Sequence, residues 1–243
     1  MGIMNAPMML AASSGDDVDF MVHGLIPLKF FGHKVWITTT HVTTLIVMVF
    51  IIVLALIARH AVLHGDEKPS GLQNFVEMIV EMLDNLVKGS MGRHWRPFVN
   101  YIGTIMVFIF FANTSGLFGL RPPTADYGTT LALALITFVL IQYSAFKTSK
   151  LNVFIDLFKP IPILFPINLI GEFATPLSMS LRLFGNIMAG TIMMALWYGL
   201  LPWLAQLGIP AFLHMYFDLF SGAIQTFVFA MLTMTFITDK REA

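Results

Sequence analysis

Arg182 is the residue whose type and position most constrain what this chain can do. Between Leu164 and Tyr216 the only formal charges are Glu172 and Arg182, so the guanidinium sits about midway along an apolar segment long enough to cross a bilayer. An arginine at the centre of a membrane helix costs roughly 2.5–3.5 kcal/mol on insertion scales, and such a residue normally faces a bundle interior or a watery cavity. A guanidinium stays protonated at any physiological pH, so it cannot relay protons. What it can do is act as a fixed counter-charge to a carboxylate that loses and regains a proton beside it. On a helix, Ser178, Arg182, Asn186 and then Ala189 or Gly190 share one stripe at i, i+4, i+8 and i+11 or i+12. Small residues let a neighbouring membrane helix approach closely, so the stripe reads as a docking track for another helix.

Two carboxyls flank this cation in sequence. Glu172 lies toward the inner end of the same segment, with Asn168 one turn earlier. Asp218 lies toward the outer end of the last apolar segment, with His214 at i−4 and Ser221, Gly222 and Gln225 following on about the same face. Desolvation favours the neutral form of a carboxyl, so carboxyls inside a membrane are groups that can take up and release protons. One titratable group toward each side and a fixed cation between them suggest two half-channels that do not meet. Plainer readings stand beside this one. Glu172 or Asp218 could be a static counter-ion to Arg182. His214 reads first as an interfacial side chain and second as a relay member, and Gln225 either bridges helices or offers an acceptor to Arg182.

The sequence argues against chemistry of other kinds. His23, His33, His41, His60, His64 and His94 show no metal-ligand spacing, and there is no P-loop, nucleophile elbow or glycine-rich phosphate cradle. Neither a metal nor a cofactor is expected, and the chain should catalyse no covalent reaction by itself. A formal net charge of zero gives no sign of nucleic-acid binding, and the lack of cysteine excludes disulfides and thiolate metal sites.

The elements that must position these groups are membrane helices. Hydrophobic residues make up 57% of the chain and charged ones 12%, about half the ~25% of soluble domains, so composition alone indicates an all-α polytopic membrane protein surrounded by lipid. The 17 Met and 23 Phe read as packing and lipid-facing residues. Residues 1–36 read as an outer-side segment whose acidic start lacks the basic region of a secretory signal, and 37–243 as a single membrane domain. About five transmembrane helices are expected, over 37–58, 98–119, 128–146, 160–201 and 209–237. Between the first two, 71–89 reads as a surface amphipathic helix, with Leu72, Phe75, Val76, Ile79, Leu83 and Leu86 opposite Glu77, Glu81, Asp84 and Lys88. Asn113 and Gln142 read as interhelical hydrogen-bonding glue.

The last two spans are long. From Asn168 to Leu201 a helix would extend about 51 Å, and from Ile209 to Ile237 about 44 Å, against a hydrocarbon core of ~30 Å. Both are therefore expected to be strongly tilted, and Pro176 is a candidate kink. Arg59, Lys68, Lys88, Arg93, Arg96 and the basic residues after Phe146 fall on one side, apart from Arg182 within the membrane, while Lys29, Lys34 and Arg121 fall on the other. The positive-inside rule then puts the N-terminus outside and the C-terminus in the cytoplasm.

At the arginine the sequence becomes recognisable. P-I-N-L-I-G-E-F-A-T-P-L-S-M-S-L-R-L-F-G-N-I-M-A-G, Pro166 to Gly190, resembles subunit a of the membrane sector of F-type ATP synthases in its bacterial and chloroplast form. Y-F-D-L-F-S-G-A-I-Q-T-F-V-F-A-M-L, Tyr216 to Leu232, resembles the last helix of that family. The resemblance implies a proton-conducting stator subunit packed against a ring of c-subunits whose carboxylates pass Arg182. It implies as further partners the b-subunit peripheral stalk and the rest of the complex, and as location the bacterial inner membrane ahead of a plastid thylakoid. Asp218 and Asn186 are the candidates for the outer proton path, helped by His214, and Glu172 with Ser178 for the inner one. Gln225 is the candidate neighbour of Arg182. One departure stands out: Thr191, directly after A-G, occupies a position that often carries a carboxylate or histidine in the family. The competing reading is a self-contained secondary transporter or proton channel, though no internal repeat of the kind common in such folds is visible.

Overall fold

The computed structural model describes residues 24–30, 33–63, 71–149, 162–200 and 209–242. The acidic start of the chain, the polar turn 64–70, the lysines at 150 and 159, and the turn 202–208 lie outside the described residues. The membrane part is all-α, as its composition requires. Five helices are long and apolar enough to cross a bilayer, Thr39–Leu63, Val99–Phe118, Tyr127–Thr148, Phe165–Gly199 and Phe212–Arg241.

Ahead of them, β1 (Gly24–Phe30) and β2 (His33–Thr38) pair as an antiparallel hairpin, a feature that the hydrophobicity pattern did not announce. It delays α1 to Thr39–Leu63, so this helix runs past the expected end at Ala58. The amphipathic α2 covers Gly71–Met91. α3 (Val99–Thr114) closes in a 3-10 turn, Ser115–Phe118, and a second such turn at Pro123–Ala125 leads into α4 (Tyr127–Ser149). α5 runs from Phe165 to Leu200. The last span is composite: α6 (Ile209–His214), a π-helical segment (Met215–Ser221) and α7 (Gly222–Glu242).

α7 is the hub of the bundle. Its Ala230, Met234 and Ile237 pack with Val87 and Met91 of α2, Ile102 of α3 and Ile141 of α4. One level along, its Phe229 meets Ile105 and Ile109 of α3, Ala134 of α4, and Met179 and Leu183 of α5. α1, by contrast, exposes Leu45, Met48, Val49, Ile52 and Leu56, which costs nothing where the surrounding solvent is itself hydrocarbon. Several buried hydroxyls are satisfied within their own helices: Thr43 donates to the carbonyl of Thr39, Thr137 to that of Leu133 and Thr233 to that of Phe229, while those of Thr40 and Ser144 are buried without a partner among the described residues.

Asn113 is the expected glue between α3 and α7. Wholly buried, it donates from Nδ2 to the carbonyl oxygen of Gly222 at 3.2 Å and accepts from Thr124 Oγ1 at 2.7 Å. The contact depends on glycine, since a Cβ at position 222 would lie 2.9 Å from that of Asn113.

Candidate functional site

α5 remains one helix through Pro176. Arg182 stands at its middle, on the face that no described element covers. Its guanidinium is exposed, as are Ser178, Leu181, Gly185 and Ala189 on the same side. Arg182 makes no hydrogen bond or ion pair with any described residue, Gln225 included. That removes the intrachain readings: Glu172 and Asp218 have other partners, and neither is a static counter-ion to Arg182. On the opposite face Leu183 is wholly buried and Phe184 meets the Tyr127 ring edge-on at 5.7 Å between centroids.

The predicted stripe is not uniform. Asn186 is half-buried and turns toward the last span, where its Oδ1 accepts from Ser221 Oγ at 3.0 Å. Leu177, which the spacing places away from the stripe, is 47% exposed. The uncovered face of α5 is thus broader than a single row and excludes part of Asn186.

Toward the N-terminal end of α5 from Arg182 lies a cavity of about 590 Å³ lined by Asn168, Gly171, Glu172 and Thr175 of α5 and by Phe236, Asp239 and Lys240 of α7. Glu172 is the group around which its polar contacts converge. Its Oε2 accepts from Gln142 Nε2 at 2.8 Å, and its Oε1 is ion-paired with Lys240. Proline carries no N–H, so Pro176 leaves the Glu172 carbonyl without its usual helical donor, adding an acceptor at this level. Ser178, the other inner candidate, is exposed on the Arg182 side and is not among the residues lining this cavity.

Toward the C-terminal end of α5 lies a second cavity, about 360 Å³, between the end of α3, α5 and the π-helical segment. Asp218, Thr191 and Arg121 line it together with His214, whose Nδ1 lies 2.7 Å from Asp218 Oδ2. His214 is therefore in direct contact with the acid rather than only an interfacial ring. The Thr191 hydroxyl donates to the Ile187 carbonyl at 2.9 Å. Gln225 is buried, with its Nε2 lacking a partner.

Along α5, Glu172 is about 15 Å from Arg182 on one side and Thr191 about 14 Å on the other at the helical rise of 1.5 Å per residue. The groups lining the two cavities are thus well separated along the helix axis, with the unpaired cation between them. Sequence reasoning missed the roles of Lys240 and Gln142 at Glu172. Lys240 carried only a topology signal and Gln142 only a packing one, because contacts between distant helices leave no periodic trace.

Residues 41–238 match the family model described as ATP synthase A chain. The chain is 40% identical over 218 residues to the sodium-ion-specific ATP synthase subunit a of Propionigenium modestum, a match that covers 83% of this chain and 73% of that relative.

Proposed function

This chain belongs to the ATP synthase A chain family, and from that premise we propose that it conducts protons through two offset half-channels past Arg182. As a family member it is a non-catalytic, ion-translocating subunit of the membrane sector, a partner of the c-ring and the rest of the complex. The observation that carries the finer reading is Arg182 itself, exposed and unpaired halfway along a 36-residue helix. A lone guanidinium facing hydrocarbon is costly. An acid presented by a neighbouring chain relieves that cost, and the c-ring carboxylate is the acid the family supplies.

On this reading a proton enters at the outer cavity, through His214 and Asp218, and neutralises a ring carboxylate so that it can turn into lipid. After nearly a full rotation the carboxyl meets the inner cavity and releases its proton toward Glu172, while Gln142 and Lys240 hold the Glu172 side chain in place. Arg182 keeps a protonated site from passing directly between cavities, since its fixed charge favours the ionised carboxylate at that point. Asn186, bonded to Ser221, ties the outer half of α5 to the last span, and Gln225 brings a free amide to the buried side. Ser178 belongs to the ring-facing surface. The b-subunit peripheral stalk, a bacterial inner membrane, an outside N-terminus and a cytoplasmic C-terminus complete the proposal, the topology resting on the basic residues. A self-contained transporter gains no support from the family match.

Sodium is the second reading, favoured by the named specificity of the relative. Protons are preferred because the outer acid is held by an imidazole, a nitrogen base that can itself pass a proton and offers no oxygen to a cation. A hard cation needs a cage of oxygen ligands instead. The purified complex, reconstituted in vesicles, tests this. ATP hydrolysis should acidify the lumen in sodium-free buffer and take up no radioactive sodium, whereas sodium-dependent pumping would establish the second reading.

A further inference from the structure

We propose that Gly116 and Asn113, at the end of α3, are positioning residues that fix where the Asp218 carboxylate sits in the outer cavity. The inference rests on the reading of Asp218 as the outer acid. Asp218 is not on an α-helix but in the π-helical segment Met215–Ser221. Such segments are rare and persist where something braces them. Here the brace is visible on two sides. Toward α3, the Gly222 carbonyl that ends the segment accepts from Asn113 Nδ2 at 3.2 Å, and Asn113 is itself held by Thr124 at 2.7 Å. Toward α5, Ser221 bonds Asn186, and a Cβ added at Gly190 would stand 3.3 Å from the Cβ of Phe217.

Gly116 then forms the wall behind the acid. The three atoms nearest to a Cβ added at this position all belong to the Asp218 carboxyl, at 3.2, 3.2 and 3.4 Å. Its backbone does not call for glycine: the positive-φ glycines are Gly92 and Gly119, and Gly116 is not among them. The need for glycine at 116 is therefore spatial, and the space is occupied by the carboxylate. A methyl group there would crowd the carboxyl, which must give by a few tenths of an ångström from its place beside His214. The other charged group at this cavity is Arg121, from the turn after α3, while α5 contributes the uncharged Thr191.

Passive proton flux through the membrane sector, measured in vesicles stripped of the catalytic head, tests the proposal in a set of single and double variants. Gly116→Ala should lower flux on the order of tenfold, less than the ~10²-fold that a 1 Å misplacement of a reacting group can cost. The same substitution in an Asp218→Asn background should have no further effect. Thr191→Glu should recover flux in Gly116→Ala, because an acid on α5 does not lean on Gly116, whereas a collapsed cavity would not be rescued. Asn113→Leu, which keeps the shape and loses the donor, is the independent second variant and should behave as Gly116→Ala does. Wild-type flux in both single variants, or an equal loss with and without Asp218, overturns the positioning role. Wild-type flux in Asp218→Asn alone overturns instead the reading on which it rests.

Discussion

At the scale of single residues, the outer acid is the sharpest assignment. Thr191 cannot titrate, so on the proposed reading the acid function at its level falls to Asp218, with His214 in contact. Asp218→Asn is expected to slow passive proton flux roughly a hundredfold, the lower end of what a positioned proton donor contributes, and adding Thr191→Glu should restore part of it. Unchanged flux in Asp218→Asn would shift the path to a chain of waters with no obligatory acid. Arg182, Glu172 and Asp218 were legible in the sequence because a charge inside an apolar run is conspicuous. Their partners were only partly so. The i−4 spacing of His214 is local and was readable, while Lys240 and Gln142 reach Glu172 through tertiary packing, as does the carboxylate-shaped space at Gly116.

At the scale of elements, five helices long enough to span followed from hydrophobic run length and the amphipathic helix between the first two from its periodicity, and helix ends shifted by only a few residues. The β1–β2 hairpin and the π-helical segment did not follow. A hairpin of two short strands has little periodic signal, and a π-segment is stabilised by what clamps it rather than by its own composition. The face of α5 was legible as a helical stripe, but its width was not, because width depends on which side chains the neighbouring helices cover. Asn186 is drawn in by Ser221, and Leu177 is left out. Cysteines at Ser178 and Ala189, both exposed beside Arg182, should therefore cross-link to cysteines on the outer helix of the ring, and cysteines at Leu183 and Phe184 should not. Asn186→Cys should react more weakly than either exposed position. Equal yields at all five would mean that α5 presents another face to the ring.

At the scale of the whole molecule, the fold is a bundle wrapped around α7 with one long helix, α5, left bare along the side that carries its only mid-span cation. The two cavities lie on either side of that cation and share only α5: one adds the end of α3 and the π-segment, the other α4 and α7. On the proposed reading, these different partners keep two aqueous paths from merging into a leak. On the proposed reading, the exposed charge of Arg182 governs passage of an acid on a neighbouring chain between these paths. ATP synthesis driven by an imposed proton gradient, in vesicles carrying Arg182→Ala and checked for an assembled complex, measures this most directly. The account predicts synthesis at background, and the same for Arg182→Lys, whose ammonium lacks the planar five-donor fork and loses its proton more readily when desolvated. Wild-type synthesis by an assembled Arg182→Ala complex would contradict it.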